Sequence, residues 1–520
     1  MSSFASLPRR DLLLVYVGAL ALFVAAGTLI DSPGYMDAEY YLTTGAELAE
    51  GRGFQEPFLW NFLDDPQGLP HPSHRYWMPM ATIVAAIGRQ IGGEAFRGVQ
   101  IPFLVIAAAL PALTYATAWK LYQDRKKAWA AGSLALFPGL LFPFLLTTDT
   151  FGLYGLLGGA ALLAMSSSAS ASRWTFFAAG VLVGLAHLTR ADGILLWIPL
   201  ALALGGQRDR RSASILPALL GYLIVLFPWL VRNLVDTGVV WPAGGGRALW
   251  LLSYDETFSY PAGLLTPQRW LSAGLIQLLS DRLNALMTNL RSLLVVNGLV
   301  FLAPLMIAGA WRRRSEPIVR SMAVYLAVLL AAMSFVFPYA GARGGFFHSS
   351  TSIQPILLAM VPQGLEAFAG WGARVRRWEP LRAQRLFSAA ILGLAAAFTA
   401  WAAWSRVTGN GMGAGWERND RTYAAVRPMI PSPSARVAVN DPPGLLAAAG
   451  LAGVVIPNGL PDTLRSVVDR FDVEWVLLEA NHPKGLDEMY AHPEANDFLH
   501  APLRMTDADG APMYLFRVKD

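Results

Sequence analysis

The sequence predicts a polytopic α-helical membrane protein of about eleven transmembrane helices, with a long first outer loop and a small C-terminal α/β domain outside the membrane. Three observations carry this prediction. Of 520 residues, 54% are hydrophobic and only 15% charged, against roughly 45–50% and 25% in an ordinary soluble chain. The apolar residues gather in runs close to the about 20 that cross a hydrocarbon core. From about residue 405 those runs stop, and short strand-like segments alternate with helical ones. Such a composition excludes a disordered chain, a basic nucleic-acid-binding domain and a soluble α/β enzyme. The net charge of +5 does not call for a nucleic-acid partner, because the cations sit in short clusters between apolar runs, as a membrane protein places them. With no cysteine, disulfides, zinc–thiolate sites, iron–sulfur clusters and thiol nucleophiles are excluded.

The apolar stretches fall near 11–30, 97–119, 129–146, 151–166, 174–190, 192–206, 213–231, 291–310, 318–338, 351–370 and 386–404. The first follows Arg9 and Arg10 and ends at Ala25-Ala26-Gly27. It reads as a span because its apolar run exceeds the roughly 7–15 residues of a signal-peptide core, a cleaved leader being the alternative. Residues 78–91 are apolar but contain Arg89, and are expected as an interfacial or half-inserted helix, a twelfth span being the competing count. Stretches 151–166 and 192–206 are short and call for tilt, local thinning or cover from neighbours.

With a cytosolic N-terminus, the inner segments 1–10, 120–127, 167–173, 206–212, 311–320 and 371–385 hold 19 Lys or Arg in 57 residues. The outer segments 31–97, 147–150, 188–192, 231–291 and 339–350 hold 11 in 149. The positive-inside bias therefore predicts an integral, multi-pass protein of the plasma (cytoplasmic) membrane with its N-terminus cytosolic. The expected division is a transmembrane domain over 1–404 and an extracytoplasmic α/β domain over 405–520. In the latter, ARVAVN, GVVIP and VEWVLLE read as buried strands, 443–451 and 462–471 as helices, and PMYLFRV as a last strand. That alternation predicts a small parallel sheet. No glycine-rich phosphate fingerprint follows its first strand, and the chain has no repeat period or paired broken helices of the transporter kind.

Ionisable groups at a membrane face are expensive, so those present are functional candidates. The first outer loop opens with Asp31 and runs through Asp37, Glu39, Tyr40 and Tyr41. Asp37 stands where a helix resumes, and serves there either as a helix cap or in catalysis. Later comes His71-Pro72-Ser73-His74-Arg75-Tyr76-Trp77-Met78-Pro79, which suits a phosphate or substrate contact, loop structure, or a metal ligand. Asp149 lies between two apolar runs, with a helix N-cap as its alternative role. Arg190 and Asp192 punctuate the next boundary and can simply pair with each other. Arg232 closes the seventh span, and Arg343 and His348 lie in the glycine-rich GARGGFFHSS. Asp, Arg and His from five outer loops at one face suit an anionic amphiphile with its tail in the bilayer.

At these residues the chain resembles the GT-C superfamily of integral-membrane glycosyltransferases, in particular the branch of protein O-mannosyltransferases and aminoarabinose transferases. The pattern comprises the early acidic motif Met36-Asp37-Ala38-Glu39-Tyr40 and the proline-bearing aromatic segment Tyr76-Trp77-Met78-Pro79. Asp149 follows the third span, and Arg190-Ala191-Asp192-Gly193 forms an Arg–Asp–Gly turn. Pro228-Trp229-Leu230-Val231-Arg232-Asn233 ends the seventh span. The likeness covers roughly 10–370. Where the family often has adjacent Asp and Glu, Ala38 separates them here. Residues two apart on a helix face different ways, and Asp37 is taken as the one facing substrate. Met78-Pro79 replaces the common Pro-Pro pair, and the Trp-Trp-Asp motif of oligosaccharyltransferases is absent.

The resemblance implies a polyprenyl-phosphate-linked sugar donor and transfer, with inversion, to an acceptor hydroxyl on a lipid, glycan or protein at the outer face. It implies Asp37 as general base. Arg232 and Arg343, helped by His348, His74 or Arg75, would meet the leaving phosphate, and Asp149 and Arg190 would bind substrate. No cofactor is required on this reading, although Asp37 and Asp149 could hold a divalent metal. The alternatives are a polymerase or ligase of lipid-linked glycans and a transporter or flippase of a lipid-linked sugar.

Overall fold

The computed structural model describes residues 7–166, 172–205, 211–241, 243–409 and 415–519. Much of two basic inner connections expected from sequence, at 167–171 and 206–210, lies outside the described residues. Each of the eleven apolar stretches falls on helix. Five helices are long and apolar enough to cross a membrane by themselves: Arg9–Gly27, Phe96–Tyr122, Ser214–Thr237, Pro317–Val336 and Pro380–Thr408. A sixth crossing is broken: Arg125–Leu134 and Gly139–Leu145 meet at 69°. Thr150–Met165 and Ala191–Gly205 are apolar but shorter. The 291–310 and 318–338 stretches carry π-type turns, at Leu293–Asn297 and Ala332–Val336. Residues 78–91 form the helix Met80–Gly92, whose Arg89 pairs with Glu50 at 2.6 Å.

Helices Arg173–Thr189 and Arg211–Thr237 pack backbone to backbone. A Cβ on Gly180 would overlap the Ala218 carbonyl, and one on Gly221 would overlap the Phe177 carbonyl. Small residues let backbones approach where lipid gives no hydrophobic drive between helices. Around that pair lies the main core, with Tyr154, Phe176, Val183, Tyr325, Phe346 and Ile356 fully buried. At the end of the bundle farthest from the sheet, Asp11 takes Arg125 and the Tyr115 hydroxyl (2.9 Å), tying the first helix down.

At the other end the C-terminal segment forms a five-stranded sheet in the order 452–455, 436–439, 475–478, 512–517, 503–506. The first three strands are parallel, as the sequence predicts. Strand 512–517 pairs antiparallel with 475–478, and with 503–506 through a short turn at Gly510. Five connecting residues cannot make a parallel crossover, so the sheet is mixed. Strand 503–506 was not expected, because it is an edge strand without a buried face.

The first loop joins this sheet. Leu59 N–H donates to Gly453 O (2.9 Å) and Val455 N–H to Leu59 O (2.7 Å), while Phe62 stacks on Phe471. A second loop adds Asn458 N–H to Phe258 O at 2.9 Å.

Candidate active site

Three elements converge where the bundle meets the sheet. Helix Met36–Ala49 begins after Tyr35, which occupies the cap position without capping through its side chain. Asp37 is therefore not the cap but a first-turn carboxylate, where the helix dipole favours negative charge. Helix Thr150–Met165 begins at Asp149, which is its N-cap. The third element is the turn Gly341–Gly345, kinked at Gly344 (φ 159°), leading into Phe346–Ser349. Glycine adopts that backbone without the cost a side chain would add, and the kink re-aims the segment that carries His348.

Asp149 uses its two oxygens differently. Oδ1 accepts from the Thr150 N–H and hydroxyl, while Oδ2 accepts from the Tyr35 hydroxyl at 2.6 Å and lies 3.1 Å from His348 Nε2. The cap and the site function thus coexist in one side chain. His348 Nδ1 lies 2.9 Å from the Gly344 carbonyl, and its ring stacks on Phe151 at 3.9 Å. A carbonyl only accepts, so Nδ1 carries a proton, and Nε2 is aimed at the carboxylates. Asp37 Oδ2 stands 3.7 Å from Nε2.

The two carboxylates live in different environments. The Asp149 side chain is 1% exposed, that of Asp37 33%. Partial burial and then the charge of Asp149 raise Asp37 to about 6, against the pull of His348 and Arg190. Burial also pushes Asp149 up, but the His348 ring, the Tyr35 hydroxyl and the Thr150 N–H outweigh it and hold Asp149 below the usual carboxylate range. Two neighbouring acids with their proton affinities driven apart are what acid–base chemistry requires.

Arg190 and Asp192 do pair, at 3.2 Å. They also reach the third element: Arg190 Nε donates to Ser349 Oγ (2.9 Å), and Ser349 donates to Asp192. Arg190 thereby braces the segment that carries His348. Arg343 is exposed and lies over the Tyr254 ring at 5.2 Å, with no carboxylate partner among the described residues.

The structure does not bring Arg232, His74 and Arg75 to this cluster. Arg232 donates to the carbonyls of Ser73 (3.1 Å) and Phe54 (2.7 Å), pairs with Asp236, and stacks on Trp229. His74 is buried among Tyr40, Tyr41, Phe54 and Trp229. Arg75 pairs with Asp64, which also takes His71 Nε2 at 3.0 Å. All three shape the first loop. Glu39 turns away from Asp37, as residues two apart should, and is buried near Asn419 (3.5 Å) and Asp441 of the C-terminal segment. Tyr35 and Ser349 join the site without having been foreseen; lone tyrosines and serines carry no sequence signal.

The donor set fits a divalent metal. One oxygen each from Asp37 and Asp149 and one His348 nitrogen lie within 4.8 Å of one another. The Gly344 carbonyl fixes the imidazole in the way second-shell partners orient metal-binding histidines.

Residues 70–231 match the model of the dolichyl-phosphate-mannose-protein mannosyltransferase family. That span includes Tyr76-Trp77-Met78-Pro79, Asp149 and Arg190, but not Asp37 or Arg232. No curated protein matches the chain by sequence. The fold is similar to that of ArnT from Cupriavidus metallidurans bound to undecaprenyl phosphate, with TM-score 0.58, 13% identity and 98% of each chain covered. It is similar also to the apo form of that protein, with TM-score 0.56, 12% identity and 98% of each chain covered. The apo oligosaccharyltransferase of Archaeoglobus fulgidus matches with TM-score 0.51 and 11% identity, over 98% of this chain and 75% of that one. The chain has the GT-C fold and is a multi-pass membrane protein.

Proposed function

We propose that the protein is a glycosyltransferase that moves a sugar from a polyprenyl-phosphate-linked donor to an acceptor hydroxyl with inversion, at the outer face of the plasma membrane, with Asp37 as general base. The observation that carries this reading is the contrast within the cluster. Asp37 is the carboxylate open to an incoming acceptor, and its raised proton affinity suits it to take a proton near neutrality. Asp149, sealed under Tyr35 and His348, stays ionised and holds the imidazole that faces the substrate. Arg343, exposed beside Tyr254 and without a carboxylate partner among the described residues, would meet the phosphate charge that grows as the glycosidic bond breaks. The undecaprenyl phosphate named for the ArnT structure supports a lipid-phosphate donor here. The same carboxylate would take the proton whether the acceptor is a lipid, a glycan or a protein.

Asp37, Asp149 and His348 would hold a divalent ion, which when bound supplies Lewis-acid stabilisation of phosphate or sugar oxygens. Metal analysis after equilibration with Mn²⁺ or Zn²⁺ should then find stoichiometric ion in the wild type and none in His348→Ala.

Asp37→Asn tests the central assignment. It should leave donor affinity unchanged and lower kcat by about 10²–10⁴-fold, the span of general-base contributions. Near-normal turnover removes Asp37 as the base.

A further inference from the structure

A groove of about 180 Å³ opens between the Gly139–Leu145 turn and the last helix of the bundle, Pro380–Thr408. Leu140, Pro143, Phe144, Val296, Phe347 and Ala402 line it, together with Arg406. Six of the seven lining residues are apolar, so the cation is the exception. No carboxylate pairs with Arg406 among the described residues. Its Nε is buried without a hydrogen-bond partner, and its guanidinium rests on the rings of Phe144 (5.7 Å) and Trp416 (5.9 Å). An arginine in apolar surroundings without a counter-ion is costly. Its planar fork matches a phosphate. The helix beside it presents Leu394, Trp401 and Trp404, all more than half exposed, on its outer surface.

The groove borders the active site through Phe347 and Phe144. Phe347 precedes His348 in the chain, and Phe144 packs on Phe347 at 5.1 Å and on Tyr35 at 5.6 Å. Tyr35 in turn donates to Asp149. Among the described residues, two arginines without a carboxylate partner therefore flank the site, Arg343 beside Tyr254 and Arg406 behind Phe144 and Tyr35.

We infer that the Arg406 groove is a second lipid site. It takes the phosphate headgroup of an anionic amphiphile other than the donor. Only the distinction from the donor rests on the transferase reading; occupancy of the groove stands on charge and shape. Arg406 supplies the charge-assisted contact, Phe144, Leu140 and Val296 take the first part of the chain, and the remainder extends into the bilayer.

The test uses the full chain in phosphatidylcholine nanodiscs with a diazirine-bearing dodecyl phosphate and the matching neutral alcohol, cross-links being mapped by mass spectrometry. The phosphate probe should label residues 140–144 and Ala402, and the alcohol should not. Arg406→Gln should cut labelling about tenfold, the scale of one charge-assisted contact, and Arg406→Lys, which keeps the charge and the fold, should retain part of it. Excess phosphatidylglycerol should displace the probe. Equal labelling by the alcohol, or unchanged labelling in Arg406→Gln, overturns the site. Displacement by farnesyl phosphate but not by phosphatidylglycerol makes the groove part of the donor site and overturns the second-lipid assignment. Labelling in Asp37→Asn should match the wild type, so the groove and the general-base reading fail separately.

Discussion

Asp37 and Asp149 are the same side chain given opposite tasks by what surrounds them. Each lies at a helix N-terminus, where unpaired N–H groups favour the anion. Asp149 spends both oxygens on protein donors, whereas Asp37 keeps one third of its side chain open. Because Asp37 in the metal-free protein is raised to about 6 and a base works only when ionised, kcat measured with chelator present should climb with pH through a midpoint near 6 and level off above it; a bound cation would move the midpoint down. A pH–rate profile of the purified protein checks this, and a flat profile from pH 5 to 8 contradicts it. Tyr35→Phe removes the hydroxyl from Asp149 without opening a cavity. It should slow turnover by about tenfold, as loss of one charge-assisted bond does, while leaving the thermal midpoint within a few degrees. Asp37, Asp149, Arg190 and His348 were legible because each interrupts an apolar run at the same end of the bundle. Arg232, His74 and Arg75 shared that signal yet turned out to hold the first loop together, since charge at a membrane face marks a polar environment without saying which group it faces.

Among the elements, the spans were legible from apolar run length, since lipid forces helices wherever such runs occur. The breaks were not. The 69° bend falls at Pro138-Gly139 and the kink in 341–345 at Gly344, residues that break a helix locally, while the π-type turns lie at 293–297 and 332–336; run length and hydropathy alone mark none of these. The two arginines first grouped as phosphate ligands belong to different elements and should behave differently. Arg343→Ala removes an exposed cation and should weaken donor binding about tenfold with no change in thermal stability. Arg232→Ala strands the Ser73 carbonyl and leaves the Phe54 carbonyl only the Ser73 N–H (2.9 Å), and should cost about 1–3 kcal/mol of stability; thermal unfolding in detergent, read beside donor titration, separates the two. Gly180→Ala should lower the unfolding temperature by the same assay, at about 1–3 kcal/mol, because its methyl group would displace the Ala218 carbonyl.

At the scale of the whole molecule, the C-terminal sheet is fastened to the helix that carries Asp37. Leu59 extends the sheet edge, Trp416 donates to Ser32 O at 2.9 Å and packs on Tyr35, and Glu39 lies against Asp441 and Asn419. This coupling could not be read from a sequence whose two halves look compositionally separate. Its acid groups make it sensitive to pH. Glu479 is 4% exposed, accepts the Tyr423 hydroxyl at 2.9 Å, and is raised to about 7, first by burial and then by Asp441, with Arg418 opposing. A carboxyl whose folded-state affinity for a proton exceeds its unfolded value near 4.5 favours folding fully when protonated. That stability falls as pH rises from about 4.5 and is lost by about 7, a change of up to about 3 kcal/mol. Protection of the Val455 and Asn458 amides, which bond to the loops, should therefore weaken between pH 5 and 8 beyond the intrinsic exchange rate. Glu479→Gln keeps the shape and removes the titration, so its protection should stay level across that range; if the variant still loses protection at pH 8, the sheet is released by some other group.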